Sequence, residues 1–178
     1  RAFNEYADAV LKEVNDRKEE ICMNMSAPGA VNTLYIGGGT PSALPLDVLR
    51  RIVDALLSSR SLRRGENTVG AQSPFEEFTV EVNPEDIVEK GGEYVRGLLE
   101  TGVDRVSMGI QSFDDGILRW MNRRHSAAGA VEAFRILRRC GVRNISVDLI
   151  FGLSQLADDV WEELWSLLRN TFRPTSCR

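Results

Sequence analysis

The stretch LYIGGGTPSAL, residues 34–44, decides how the chain is read. A short run with β-branched ends, Thr33 to Ile36, breaks into Gly37, Gly38 and Gly39 and continues through Thr40, Pro41 and Ser42. The run predicts a strand of residues 33–36 buried on both faces. Glycine costs conformational entropy and offers no packing, so a row of them at a strand end implies that something comes close to that backbone.

Upstream, Phe3, Tyr6, Ala7, Val10, Leu11 and Val14 recur at helical spacing with charged residues between them, which predicts an amphipathic helix to about Met23. Pro28 and Gly29 break it. Downstream, Leu49, Ile52, Val53 and Leu56 form a second apolar stripe, and residues 60–75 read as a polar loop. FEEFTVEVNPE, residues 75–85, is a strand stopped by Pro84, which holds Asn83 extended. The unit then recurs. A helix over 86–100, a strand over 104–111, a helix with Ile117, Leu118 and Met121, and a helix capped by Ser126 precede a strand over 144–152. A last helix carries Val160, Trp161, Leu164 and Leu168.

Strands alternating with helices imply an α/β fold of parallel strands with right-handed crossovers, either closed as a barrel or open as a doubly wound sheet. Both architectures place ligands at the carboxyl ends of the strands. Those ends carry Gly37 to Thr40, then Glu81 and Asn83, then Ser107 and Gln111, then Asp148.

Gly38 and Gly39 would let backbone groups touch a ligand with no Cβ in the way, and Thr40 adds a hydroxyl. The loop suits a phosphate, an ammonium or a carboxylate; a tight turn packing strand on helix is the alternative. Phosphate motifs fit poorly, because GxGxxG would need glycine where Ser42 stands and the chain has no GK[ST]. Glu81 lies between Val80 and Val82 and should face away from them, toward a ribose diol, an ammonium or a basic side chain of the barrel. Gln111 offers a donor and an acceptor. Arg123, in MNRRH, reads as a ligand contact or a surface charge, and Asp148 as a ligand contact or half of a buried ion pair. The single histidine, His125, has no nucleophile to activate, which argues against a conventional hydrolase.

The 178 residues suffice for one domain, and 43% hydrophobic with 27% charged residues is an ordinary globular composition. A net charge of -4 argues against non-specific nucleic-acid binding. No apolar run approaches the roughly 18 residues of a transmembrane helix, and no secretion signal opens the chain; a cytoplasmic protein is expected. Cys22, Cys140 and Cys177 are too far apart for a metal motif.

Taken together, YIGGGTPSAL, EVNPED, GVDRVSMGIQSFDDGILRWMNRRH and ISVDLIFGL resemble the radical S-adenosylmethionine proteins related to oxygen-independent coproporphyrinogen III oxidase, in order from about residue 4 to 165. The resemblance implies a partial radical-SAM-type (β/α) barrel in which Gly38, Gly39 and Thr40 lie against the methionine end of S-adenosylmethionine. It also implies that Glu81, Gln111, Arg123 and Asp148 bind the same cofactor, some of them at a second molecule. Such proteins cleave S-adenosylmethionine with an electron from a 4Fe-4S cluster, giving a 5'-deoxyadenosyl radical.

The CxxxCxxC motif that holds this cluster in the family is missing from the chain. Residues 1–178 are therefore expected to be an incomplete core domain, without the N-terminal cluster-binding segment and without a C-terminal domain. Ser154 and Gln155 also replace the Pro-Gly common in relatives. GIQSF and RRH resemble the haem-chaperone branch more than the oxidase. The implied partners are porphyrin or haem, an electron donor protein and haem-accepting respiratory proteins. The alternatives are the oxidase, and a cluster-free barrel that binds S-adenosylmethionine.

Overall fold

Phe78, Val80 and Val82 are buried on one side of their strand, whereas Glu77, Thr79 and Glu81 alternate with them onto the other. This division organises the whole sheet in the computed structural model, which describes residues 2–24, 33–61 and 75–152. The strands are β1 (Thr33–Ile36), β2 (Glu77–Val82), β3 (Arg105–Gln111) and β4 (Asn144–Leu149), all parallel and in the order β1-β2-β3-β4. Register aligns like with like. Ile36, Val80, Val106 and Ile145 form an apolar row across the sheet, and Glu81, Ser107 and Ser146 a polar one.

The helices are α1 (Ala2–Asp16), α2 (Lys18–Asn24), α3 (Leu46–Ser61), α4 (Pro84–Glu100), α5 (Asp115–Trp120) and α6 (Ala127–Arg139). Leu49 and Val53 of α3, Ile87, Val95 and Leu98 of α4, and Ala133, Phe134 and Leu137 of α6 pack on the apolar side of the sheet. A smaller cluster, Ala7 with Val48 and Ile52, joins α1 to α3. Among the described residues no helix is long and apolar enough to cross a membrane.

The expected parallel α/β arrangement is found, with four local differences. β1 is not buried on both faces: it is an edge of the described sheet, and Tyr35 is 56% exposed. The first helix breaks at Arg17, beyond the end of its apolar stripe at Val14. α4 starts at Pro84, whose fixed φ suits a first helical position, and it kinks at Gly91, where φ is 66°. β4 ends at Leu149, short of residue 152. The helix expected around Val160 to Leu168 lies outside the described residues, as do Ser154 and Gln155.

Candidate functional site

The row of glycines turns out to meet several different demands. A Cβ on Gly37 would stand 2.4 Å from Tyr35 Cε1 and 2.7 Å from Glu81 Cδ, so any side chain there would force Tyr35 and Glu81 to shift. Gly38 has φ of 78°, a left-handed conformation that costs an L side chain, although a Cβ there would meet nothing within 4 Å. Gly38 thus meets a backbone angle that favours glycine, and the space beside it is open. A Cβ on Gly39 would also project into open space.

What comes close to this backbone is Glu81. Its Oε2 accepts the Gly38 N–H at 3.0 Å, and its Oε1 accepts the Tyr35 hydroxyl at 2.5 Å. The bond to Glu81 is the main reason the Tyr35 phenol titrates above its ordinary range. Among the described residues no Lys or Arg pairs with Glu81, so the barrel ion pair considered for it is not formed. Asp148 is likewise exposed and not half of a buried pair; it accepts the Ser107 hydroxyl at 3.2 Å. Arg105, the basic residue nearest in register, is held by Glu77 at 3.0 Å and reaches Ser146 at 3.3 Å.

A pocket of about 240 Å³ opens where the strands end, lined by Gly39, Thr40, Glu81, Gln111, Arg123 and Asp148 together with Asn83, Ser107 and Gly109. All the residues singled out as candidates line it except Gly38, whose N–H is turned to Glu81. Arg123 is no surface charge: its Nη2 donates to Asn83 Oδ1 at 3.1 Å and to the Gly109 carbonyl at 3.0 Å. Its Nε is buried without a hydrogen-bond partner among the described residues. Asn83 in turn donates to Thr40 Oγ1 at 3.4 Å.

Gln111 reaches the pocket through an unusual backbone. Its φ is 69°, and the Ser112 N–H donates to the Ile110 carbonyl at 2.9 Å, which closes a γ-turn around it. The β3–β4 register shifts between Gly109 and Gln111. Strained conformations of this kind persist where the surroundings hold them, and they gather at functional sites. A Cβ on Gly109 would lie 2.8 Å from Gln111 Nε2 and 3.5 Å from Arg123 Nη2, so its bare backbone is the cradle around which the amides and guanidinium converge.

Arg123 is delivered by the end of α5. Asp114 caps that helix, its Oδ1 accepting the Ile117 N–H at 2.8 Å, and Asn122 at φ 56° turns the chain out of it. The next two residues anchor the turn. Arg124 pairs with Glu85 at 3.3 Å and Asp86 at 3.2 Å. His125, buried, places Nδ1 3.1 Å from Glu85 and Nε2 3.0 Å from the Ile110 carbonyl. A carbonyl only accepts, so Nε2 bears a hydrogen, and the ring is pinned at both nitrogens as a strut.

The donor set fits a ligand bearing both an α-amino acid and hydroxyl groups. Glu81 and Asp148 suit an ammonium or a diol, while the unpartnered Arg123 Nε and the Thr40 hydroxyl suit a carboxylate. A metal cluster does not fit. Among the described residues no three His, Cys, Asp or Glu side chains gather to hold a metal. Cys140 sits at the end of α6, 3.6 Å from the Gly92 carbonyl of α4.

Asn83 and Ser107, read from the sequence at the strand ends, line the pocket, while Gly109 and Tyr35 join the site without having been singled out. Alternation could have found Gly109, which lies two residues beyond Ser107 on the polar side of β3.

A profile of the Radical SAM superfamily matches residues 8–168. A protein named heme chaperone HemW from Bacillus subtilis (strain 168) is 33% identical over 156 residues, covering 85% of this chain and 38% of its own length. An oxygen-independent coproporphyrinogen III oxidase from Paracoccus denitrificans (strain Pd 1222) is 31% identical over 149 residues, covering 83% of this chain and 29% of its own length. The solved structure of coproporphyrinogen III oxidase (HemN) from Escherichia coli, a radical SAM enzyme, matches with a TM-score of 0.75 at 23% identity, over 96% of this chain and 35% of that one. That likeness establishes the fold: the sheet described above is a four-stranded part of a radical-SAM-type (β/α) barrel. The chain spans 38% or less of the length of these relatives.

Proposed function

Because the chain belongs to the Radical SAM superfamily, we propose that its strand-end pocket binds S-adenosylmethionine as part of a haem chaperone of the coproporphyrinogen-oxidase-like group. The observation that carries this reading is the convergence, at the carboxyl ends of parallel strands, of two carboxylates free of basic partners among the described residues with a guanidinium whose Nε is unsatisfied. In this reading Gly38, Gly39 and Thr40 take the methionine end, and Glu81, Gln111, Arg123 and Asp148 take the remaining polar groups. Carboxylates accept from an ammonium or ribose hydroxyls, and Arg123 donates to a carboxylate.

When bound, S-adenosylmethionine supplies radical chemistry in partnership with a 4Fe-4S cluster and an electron donor protein. This chain's residues orient the cofactor; the cluster's ligands are not among them, since the chain contains no CxxxCxxC. We take residues 1–178 as an incomplete core domain, with the cluster-binding segment and a C-terminal domain supplied by the rest of a complete, cytoplasmic protein. The 38% coverage of the Bacillus relative supports this division.

The chaperone reading is favoured by the similarity to HemW and by the GIQSF and RRH stretches. His125 serves there as a strut and not as an iron ligand, both its nitrogens being engaged. The similarity to the Paracoccus oxidase supports the second reading, oxidative decarboxylation of coproporphyrinogen III. The test is to give the complete, cluster-reconstituted protein haem and coproporphyrinogen III in separate anaerobic assays. Haem binding with transfer to an apo-respiratory acceptor, and no protoporphyrinogen IX, is expected. Conversion at the rate of a true oxidase would establish the second reading instead.

A further inference from the structure

The glycine loop and the Arg123 turn form two walls of the pocket, and one buried side chain touches the structure behind both. Asp86, in the first turn of α4, is 4% exposed. Its Oδ2 accepts the hydroxyl of Ser42 at 2.6 Å, and its Oδ1 accepts Arg124 Nη2 at 3.2 Å. Ser42, wholly buried, stands two residues beyond Thr40; Arg124 adjoins Arg123.

Each wall is otherwise fastened to the same helix. The Asn83 N–H, at the cap of α4, donates to Ser42 Oγ at 3.0 Å. Lys90, further along α4, donates to the carbonyls of Ser42 and of Leu44, the latter at 2.9 Å. On the opposite side Glu85 receives both Arg124 and His125. Neither Ser42, Asp86 nor Arg124 lines the pocket, so none is placed to touch a ligand there.

We propose that Asp86 is a positioning residue that sets the spacing between the two walls, holding the glycine loop through Ser42 and the Arg123 turn through Arg124. A carboxylate suits this role, because each of its oxygens accepts from a different wall at once. The inference rests on the reading of the pocket as an S-adenosylmethionine site.

The test is calorimetric titration of S-adenosylmethionine into the complete, cluster-reconstituted protein and its Ser42→Ala, Arg124→Met and doubly substituted variants. Ser42→Ala removes the Asp86 bond together with the acceptor of the Asn83 N–H, and Arg124→Met removes the Asp86 and Glu85 pairs; each cuts one wall from Asp86, and affinity falls about tenfold in each. The double variant falls by clearly less than the hundredfold product, because one broken link already frees the spacing. Independent structural effects of residues that do not touch would multiply. Asp86→Ala removes both acceptors at once and should match the double variant even where Ser42→Ala fails to fold. Unchanged affinity in the single variants, a full product in the double, or an Asp86→Ala protein that binds like wild type overturns the proposal. Wild-type protein that binds no S-adenosylmethionine overturns the site reading, and this inference with it.

Discussion

Gly37 and Gly38 are neighbours of the same type, yet they answer to different physics. An alanine at position 37 would push into Tyr35 and the Glu81 carboxylate, whereas one at 38 would meet no atom and bear only the strain of φ 78°. Gly38→Ala is therefore expected to cost about 1 kcal/mol of stability and also to weaken S-adenosylmethionine binding, since its methyl group would enter the open space assigned to the methionine end. Gly37→Ala should displace Glu81 and weaken S-adenosylmethionine binding about tenfold. Thermal unfolding and calorimetry of both variants separate the two effects. Glu81 was legible at this scale, because a carboxylate between two buried valines must face the other side of the strand. The γ-turn at Gln111 was not legible: nothing about glutamine announces a positive φ, which is imposed by the Ser112 to Ile110 bond and the neighbouring register shift.

Among the elements, α6 shows a local rule holding and α4 shows one overridden. Ser126 caps α6 as its sequence position predicts, its Oγ accepting the Gly129 N–H at 3.1 Å. Ser126→Ala should lower stability by about 1 kcal/mol and Ser126→Asp should restore it, as read from the denaturant midpoint. α4 reads as one helix, but Gly91 breaks its geometry while Asp86 and Lys90, on the near side of the break, hold the segment after the glycine loop. That use of a helix face depends on what packs opposite it, which periodicity does not encode. The same limit explains β1. Its apolar character was visible, but exposure of Tyr35 follows from its place at the edge of the described sheet and from its bond to Glu81.

For the molecule as a whole, the polar side of the sheet is the feature that demands an explanation. Parallel barrels usually fill that side with layers of branched apolar residues. Here Glu77, Arg105, Ser107, Ser146 and Asp148 occupy it, a composition that suits a polar ligand and not a dry core. The alternation of strands and helices made the architecture legible early, because each crossover leaves its own periodic mark. Convergence of the strand ends needed the register.

The apolar side makes its own prediction. Burial, aided by the negative charge of Asp86, pushes the Tyr94 hydroxyl up to about 12. The folded state thus resists losing a proton that the unfolded chain gives up near its ordinary value of 10.0. The associated stability is fully present below that value and is lost as pH rises toward about 12, a loss of roughly 2 kcal/mol. Tyr94→Phe should remove this alkaline decline, as followed by denaturant unfolding across that range.

The central claim is that the polar strand ends form one cofactor site. It is tested most directly by titrating S-adenosylmethionine into the complete, cluster-reconstituted protein and into Glu81→Ala. The account predicts saturable binding by the wild type and an affinity at least about tenfold weaker in the variant, whose lost carboxylate leaves the Gly38 N–H and the Tyr35 hydroxyl without their acceptor. No binding by the wild type, or equal affinity in the two proteins, would contradict it.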